Sequence, residues 1–212
     1  MGSDWTWELR VPVAGEIALR EAYALAAERD LRPRRPDGLI NLFGPDAESR
    51  QVDDPRVAVA AMATGGGHGQ FWTGEDVDVF VSWDDGVLTW SLDSVFRPRR
   101  PGPGADGFRE VHARLTDLWL TAAQRLGAGV GRVLDEWSSE QVWHLAGGDW
   151  PAELGWLTYL GPGGDLRTPL PPDVAARTRR LDGGALLVTL LDDPAAVDAL
   201  RYEDIHREWL GV

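Results

Sequence analysis

The sequence predicts an α+β protein in which a mainly antiparallel sheet packs against about three helices. Alternating apolar residues mark several short strands, and three longer stretches repeat apolar residues at helical spacing. Two of the alternating runs meet at Asp84-Asp85-Gly86, and an Asp-Gly pair in that position is a hairpin signal that favours antiparallel pairing. With 212 residues, the chain is long enough for one domain with a sizeable core.

The N-terminal half is predicted to contain most of the strands. The first strand alternates Trp5, Trp7 and Leu9 with polar residues, and Pro12 indicates its edge or its end. The predicted elements are a strand over 5–13, a helix over 16–30, strands over 39–43 and 56–63, and the hairpin over 77–93. The 56–63 segment is also compatible with a helix.

The C-terminal half is predicted to alternate helices and strands. A helix over 107–127 carries one apolar stripe and ends at Gly127, and "GRVLDEW", 131–137, reads as a strand. The run "PAELGWLTYLGPGG", 151–164, is apolar on both faces, as is "GALLVTLLDD", 184–193. We therefore expect buried strands at 154–160 and 185–191, followed by a helix over 194–210 that starts at Pro194.

The chain reads as a single domain, residues 1–212, and two lobes are the alternative. The lobes would be 1–95 and 107–212, joined by a linker at 96–106 that is rich in Pro, Arg and Gly. Its Arg-Pro-Arg-Arg-Pro core also occurs within 31–38. This repeat leaves open two similar halves that arose by duplication, or two solvated polyproline-type loops.

Composition excludes several kinds of chemistry. The chain has no cysteine, and all 21 basic residues are arginine, so thiol nucleophiles, Cys-ligated zinc and lysine-dependent catalysis are excluded. The net charge of −13 argues against nucleic acid or an anionic membrane as a partner and favours a basic one. The start "MGSDWTWELR" resembles no signal peptide, and no run is long enough to span a bilayer, so we expect a cytoplasmic protein.

No catalytic or cofactor motif is complete. The glycines in "VAVAAMATGGGHGQ", 57–70, follow an apolar run as in a dinucleotide site, but the next strand comes too soon for the required helix. His68, Asp76 and Asp78 could hold a divalent cation, although a solvated strand edge explains them as well. His112 and His206 fall in helices, where we expect partly exposed positions. We expect no enzyme activity, no cofactor and no metal.

Two windows of the sequence contain no arginine and concentrate acidic residues and tryptophan. They lie between Arg56 and Arg97 and between Arg132 and Arg167, and together they hold seven of the eleven tryptophans. Aromatic anchor residues that are surrounded by charges of one sign are typical of a protein-binding surface. We expect one acidic face formed by the loops at 72–76, 84–86 and 147–153. Its predicted contact residues are Trp72, Glu75, Asp76, Asp84, Asp85, Asp149, Trp150 and Glu153. The tryptophans expected in the core instead are Trp83, Trp90, Trp119 and Trp156.

The C-terminal motifs carry a resemblance to a known class. "ELGWLTYLG", then "LDGGALLVTLLDDP" and the terminal "EDIHREWLG", resemble the C-terminal half of immunity proteins from bacterial polymorphic toxin systems. The nearest is the immunity protein 52 family with its type VI immunity relatives, over roughly residues 150–212. The resemblance implies a cytoplasmic protein without catalytic residues, which neutralises a cognate toxin, often a nuclease, by tight binding.

Two other functions stay open at this point. One is a small metal-dependent enzyme that uses His68, Asp76 and Asp78. The other is a ligand-binding module with a pocket lined by tryptophan. Retained metal would favour the enzyme, and a co-purified small molecule would favour the binding module.

Overall fold

The strands form one open antiparallel sheet. A computed structural model describes residues 4–44, 48–73, 78–92, 105–146, 154–164, 166 and 169–212. Within these residues the ten strands lie in the order β3-β2-β4-β5-β6-β1-β7-β8-β10-β9. Their bounds are β1 Trp5–Arg10, β2 Ile40–Phe43, β3 Ser49–Val52, β4 His68–Trp72, β5 Asp78–Asp84, β6 Val87–Leu92, β7 Val130–Asp135, β8 Leu157–Leu160, β9 Arg179–Arg180 and β10 Leu186–Thr189.

Six α-helices accompany the sheet within the described ranges, so the predicted α+β class is confirmed. Their bounds are α1 Gly15–Glu28, α2 Pro55–Gly65, α3 Ala105–Arg125, α4 Glu136–Ala146, α5 Pro172–Ala175 and α6 Ala199–Leu210. The three predicted helices correspond to α1, α3 and α6. Among the described helices, none combines the length and the hydropathy needed to cross a bilayer.

The main core lies between one face of the sheet and the helices α1, α2 and α3. Residues paired across neighbouring strands share a face. Trp7 of β1 pairs with Trp90 of β6 and with Val133 of β7, and all three side chains are fully buried. Helix α3 contacts β1 and β7, while α1 and α2 contact β5. The apolar residues that alternate along the first strand, as predicted, therefore lie on the face of the sheet that these helices cover.

The opposite face of the sheet carries a row of amide and carboxylate side chains across β2, β4 and β5. Asn41 Nδ2 donates to Gln70 Oε1 at 2.7 Å, and Gln70 Nε2 donates to Asp78 Oδ1 at 2.6 Å. Gln51 on the edge strand β3 extends this row by donating to Asn41 Oδ1 at 3.1 Å. The amide row links four strands and leaves Asp78 bound within the sheet.

The hairpin prediction is confirmed, with a turn whose backbone explains the Asp-Gly pair. Strands β5 and β6 pair from Val79 with Leu92 to Asp84 with Val87. Asp85 and Gly86 have φ of 40° and 83°. Two consecutive residues with positive φ are typical of a type I′ turn, which matches the twist of the strands.

The segment 56–63, which the sequence left between strand and helix, is part of α2. Asp54 caps the helix by accepting the Arg56 N–H at 2.8 Å, and Pro55 occupies the first turn. Gly66 ends the helix with a φ of 66°. Alanine-rich apolar runs favour helix, and these capping residues decide the choice here.

Strand β4 begins at His68, inside the glycine-rich stretch at 57–70. Phe71 is fully buried, and Gly69 passes the Tyr23 side chain so closely that a Cβ at this position would lie 2.7 Å from the hydroxyl oxygen. Glycine therefore serves close packing within a strand here, which the composition alone does not distinguish from a loop.

Two element boundaries in the C-terminal half were predicted wrongly. Strand β7 ends at Asp135, and Glu136 and Trp137 already belong to α4, which the sequence did not reveal. Helix α6 starts at Ala199, where Asp198 accepts the N–H groups of Leu200 and Arg201 at 3.1 and 3.2 Å.

Asp193, which we expected to precede the last helix directly, instead binds α3. Its two carboxylate oxygens accept from Arg109 Nε at 2.9 Å and Arg109 Nη2 at 2.6 Å. This pair holds the pKa of Asp193 down at about 2, mainly through the hydrogen bond from Arg109. The segment before α6 is thereby tied to the helix layer.

The predicted buried strands are confirmed in their cores. Residues 154–160 are all buried, with β8 over the last four, and Leu187 and Val188 of β10 are buried as well. Strand β1 lies between β6 and β7, so the sheet joins residues from both sides of the predicted linker at 96–106. Most of that linker lies outside the described residues.

Candidate functional site

Helix α4 is held in place by a buried carboxylate at the end of β7. Asp135 is fully buried, and its Oδ2 accepts the Ser138 backbone N–H at 3.3 Å, which is an N-cap interaction. The Ser138 hydroxyl donates to the same oxygen, as does Trp156 Nε1 at 3.2 Å. Since Trp156 belongs to the predicted buried segment, the core itself sets the orientation of α4.

One face of α4 is buried and the opposite face projects two tryptophans. Ser138 and Val142 are fully buried, and the helix packs against α6 and β7. Trp137 is 56% exposed and Trp143 is 70% exposed. Most tryptophans are largely buried in folded proteins, so two exposed indoles on one short helix are informative.

Trp137, Glu140 and Trp143 form a row along the exposed side of α4, which we call the α4 ridge. Residues three apart are neighbours on a helix surface, so Glu140 lies between the two tryptophans along the helix. Glu136 and His144 are also exposed on this side. Together the indoles expose roughly 300 Å² of mainly apolar surface.

The predicted single acidic face does not form as we expected. Asp84 and Asp85 are exposed at the β5–β6 turn. Trp72 pairs with Asp78, at the opposite end of β5, six residues away from Asp84. At about 3.3 Å per residue, this separates Trp72 from Asp84 by roughly 20 Å along the strand. The expectation that loops 72–76 and 84–86 share one end is therefore wrong, because β4 and β5 are antiparallel.

Trp72 is half-buried and already contacts the chain's own residues. Its backbone N–H and C=O pair with Arg32 at 2.7 and 2.8 Å. The Arg35 guanidinium lies 5.7 Å from the centroid of its ring, and Arg35 Nε is 3.3 Å from Asp37 Oδ2. The 31–38 segment, which the sequence left open as part of a duplication or as a solvated loop, is thus joined to β4 at Arg32.

The remaining predicted contact residues cannot be placed. Glu75, Asp76, Asp149, Trp150 and Glu153 lie outside the described residues. Their part in binding stays a prediction.

His68 and Asp78, two members of the candidate metal site, lie apart in the structure. His68 pairs with Ser82, and Asp78 pairs with Trp72, so the two residues are separated by four residue steps, roughly 13 Å. Asp78 accepts a hydrogen bond from Gln70 in the amide row. Within the described ranges, no group of three His, Asp or Glu side chains is arranged to hold a metal ion.

The glycine-rich stretch at 57–70 has the wrong order of elements for a dinucleotide site. The glycines follow α2 and lead into β4, whereas a dinucleotide-binding turn follows a strand and leads into a helix. The backbone there therefore presents no helix N-terminus to a pyrophosphate.

Two histidines that we expected to be partly exposed are buried. His112 is 4% exposed and lies against the rings of Trp5 and Trp7, with centroids 4.7 and 5.1 Å away. Burial lowers the pKa of His112 to about 3, although nearby Asp193 opposes this shift. Burial also lowers the pKa of His206, a fully buried residue of α6 that is hydrogen-bonded to the backbone of Leu154. Both imidazoles belong to the core.

The predicted core tryptophans are confirmed with one exception. Trp90, Trp119 and Trp156 are buried, whereas Trp83 is half-buried. The α4 ridge was not predicted, because residues 131–137 were expected to form one strand. The signal that was available is Asp135 followed three residues later by Ser138, which is an N-cap spacing.

Cavities on the described surface include the following two. One, of about 260 Å³, lies between β2, β3 and the end of α2 and is lined by residues that include Phe43, Met62 and His68. The other, of about 290 Å³, is mostly apolar and lies between α5 and the strands β8 and β10. Neither lining includes tryptophan, so neither matches the expected tryptophan-lined pocket.

Comparisons with known proteins leave the family open. No protein-family model matches the chain, and no curated protein sequence matches it with statistical significance. Among solved structures, the chain is similar to the Pseudomonas aeruginosa T6SS protein PA0821, at 14% identity and a TM-score of 0.43, over 99% of this chain and 72% of that one. A TM-score this low does not establish a shared fold and says nothing about activity or partners.

Proposed function

We propose that this protein is an immunity protein that neutralises a basic bacterial toxin by direct binding. The α4 ridge carries the proposal. Trp137 and Trp143 expose indole surface, and Glu140 lies between them on a helix anchored by the buried Asp135. Exposed aromatic side chains on a rigid element are typical anchors of tight protein interfaces.

The energetic case rests on surface that is available for burial. Covering roughly 300 Å² of indole surface at about 25 cal/mol per Å² contributes about 7 kcal/mol before the costs of association. Two anchors therefore supply a large part of the free energy of a tight complex. The fixed backbone of α4 keeps the loss of conformational freedom small.

Charge supports a basic partner. The net charge is −13, and no lysine or arginine occurs between Arg132 and Arg167, the window that contains α4. A protein of this charge repels nucleic acid and attracts the basic surface that a nuclease presents to its own substrate. Attraction of this kind raises association rates, which favours rapid capture of a toxin.

The test is protection of cells. The chain would be co-expressed in a bacterial host with the candidate toxin domain encoded by the neighbouring gene, and the affinity of the purified pair measured by calorimetry. We expect growth to be restored and a 1:1 complex to form. The double variant Trp137→Ala/Trp143→Ala should fail to protect, whereas Leu200→Ala, which removes another exposed apolar side chain (68% exposed), should protect fully.

Failure of the wild-type chain to bind or protect would contradict the proposal. Full protection by the double variant would keep the immunity function but exclude the α4 ridge as its basis.

We also propose that the protein acts without catalysis. His68→Ala and Asp78→Ala should protect as well as the wild type, because these residues lie apart in the sheet. Sub-stoichiometric protein that still inactivated the toxin, with loss of that effect in either variant, would contradict this and favour an enzyme.

A further inference from the structure

We infer that two copies of this protein associate through strand β3, so that the open sheets of both copies join edge to edge. The inference goes beyond the proposed function and does not depend on it. Strand β3 is first in the strand order, and β7, which leads into α4, is seventh. At about 4.8 Å per strand, roughly 29 Å of sheet separates these two strands.

The outer edge of β3 presents backbone groups that are free to pair. Within the described residues, no strand lies beyond β3. The Gly44 N–H donates to the carbonyl oxygen of Glu48 at 2.7 Å, which makes these two residues a hydrogen-bonded pair. Such pairs alternate along an antiparallel ladder, so the N–H and C=O groups of Ser49 and Gln51 point away from β2. Unpaired groups along a sheet edge are a template for another strand.

Opposite charges two residues apart make this edge complementary to itself. Glu48 and Arg50 flank Ser49, and alternate residues of a strand point to the same face. Both side chains are exposed, and neither forms an ion pair with a described residue. When Ser49 pairs with Ser49 of a second, antiparallel copy, Glu48 lies opposite Arg50 of that copy. A two-fold axis through the Ser49 pair repeats this contact, and cross-strand pairs of opposite charge stabilise a sheet.

The charges also select this register over its neighbour. A pair centred on Arg50 would join Ser49 of one copy to Gln51 of the other, and it would place the two Arg50 side chains directly opposite each other. Like charges in that position destabilise a sheet. The register centred on Ser49 is therefore favoured.

The other edge of the sheet lacks this self-complementarity. Strand β9 consists of Arg179 and Arg180, both exposed. Two cations repel a second copy of the same strand, and charged residues are a common means of keeping a sheet edge unpaired. Of the two described edges, β3 is therefore the one suited to a second copy.

The experiment is sedimentation velocity of the full-length protein from 5 to 500 µM. We expect the wild type to shift from monomer to dimer over this range. Arg50→Glu and Glu48→Arg should each raise the dissociation constant about tenfold, because each creates two like-charged pairs across the two-fold axis. The double variant Glu48→Arg/Arg50→Glu restores complementarity, and its dissociation constant should return to within about threefold of the wild-type value.

Two controls separate strand pairing from general attraction. Arg179→Glu makes the same charge change at the β9 edge, and it should alter the dissociation constant less than about twofold because distant sites act independently. Hydrogen exchange of the wild type reports the pairing itself. The Ser49 amide should gain protection as the protein concentration rises, whereas the Arg50 amide, which pairs with Leu42 inside the sheet, should not change.

A wild-type protein that stays monomeric at 500 µM would overturn the inference. A dimer that both single variants leave intact would also overturn it, because association would then use another surface. Failure of the double variant to recover the dimer, with its fold verified by circular dichroism, would exclude the register centred on Ser49. Protection from a toxin by a strictly monomeric chain would leave the proposed function standing without this interface.

Discussion

His206 holds the backbone of Leu154 across 52 positions of the chain. The imidazole Nε2 accepts the Leu154 N–H at 3.1 Å, and Nδ1 lies 2.8 Å from the carbonyl oxygen of Tyr202, one turn earlier in α6. The Tyr202 hydroxyl donates to the carbonyl oxygen of Leu154. Both backbone polar groups of the buried Leu154 are thus satisfied by α6.

Replacing His206 with phenylalanine should destabilise the protein by about 2–3 kcal/mol. An aromatic ring is kept, but the buried Leu154 N–H loses its acceptor, and an unsatisfied buried donor carries its full desolvation cost. Urea unfolding gives the change in the free energy of unfolding. His144→Ala, on the exposed side of α4, should change it by less than about 0.5 kcal/mol. Equal effects of the two substitutions would contradict the buried role of His206.

Stability should fall as the pH drops below about 6.5. The folded state holds His112 and His206 neutral, with the pKa of His112 at about 3 and that of His206 lowered. The unfolded chain binds protons on both near pH 6.5, so the contribution is complete above that pH and is lost on acidification. Each neutral histidine should contribute a slope of about 1.4 kcal/mol per pH unit.

The measurement is a series of urea unfolding curves between pH 7.5 and pH 4.5. In the variant His112→Leu, the slope of the unfolding free energy against pH should be smaller by about 1.4 kcal/mol per pH unit, which is the contribution of one histidine. An identical pH dependence in the variant and the wild type would mean that His112 is not buried neutral in the folded protein.

Local sequence signals predicted those elements whose pattern matches one secondary structure. The hairpin followed from Asp85-Gly86 between two alternating runs, and α3 followed from one apolar stripe. Strand β4 could not be predicted in the same way, because its glycine at 69 is explained only by Tyr23, 46 residues earlier in the chain.

The candidate site was predicted in composition and not in position. The arginine-free windows contain both the α4 ridge and the expected acidic loops, so the predicted and the proposed surfaces fall in the same parts of the chain. Which tryptophan is exposed depends on the start of α4. That start depends on Asp135, which caps the helix and accepts a hydrogen bond from Trp156 Nε1 in the core. The buried positions of His112 and His206 likewise come from tertiary packing.

Gly86→Ala should destabilise the protein by about 1 kcal/mol. The new Cβ meets only the Val11 carbonyl oxygen at 4.0 Å, so the cost comes from the φ of 83° and not from crowding. Gly129→Ala is the matched control, since it has open space and no positive φ, and it should be neutral or stabilising by up to about 1 kcal/mol. Thermal melts of both variants give the comparison, and a similar loss in each would exclude the conformational explanation.

Removing the carboxylate of Asp135 should destabilise α4 and lower the unfolding free energy by about 2–4 kcal/mol. Asp135→Ala leaves the buried Trp156 Nε1 and the Ser138 N–H without this acceptor. Asp135→Asn keeps one oxygen and should cost less. Hydrogen exchange would locate the effect, with the largest loss of protection in α4. Uniform loss of protection over the whole sheet would instead assign Asp135 to global stability alone.

Binding kinetics should separate the two contributions of the α4 ridge. In the proposed complex with a toxin, Trp143→Ala should raise the dissociation rate and weaken binding by about 2 kcal/mol or more, as expected for an anchor residue. Glu136→Arg and Glu140→Arg should instead mainly slow association, because exposed charges act on encounter and are screened within about 8 Å at physiological ionic strength.

Surface plasmon resonance at 50 and 300 mM salt measures both rates. The wild-type association rate should fall steeply with salt, and the charge-reversed variants should show a shallower fall. Association that ignores salt would exclude electrostatic steering. Asp84→Arg, at the far turn, is the control for charge alone, and its association rate should change less than that of Glu140→Arg.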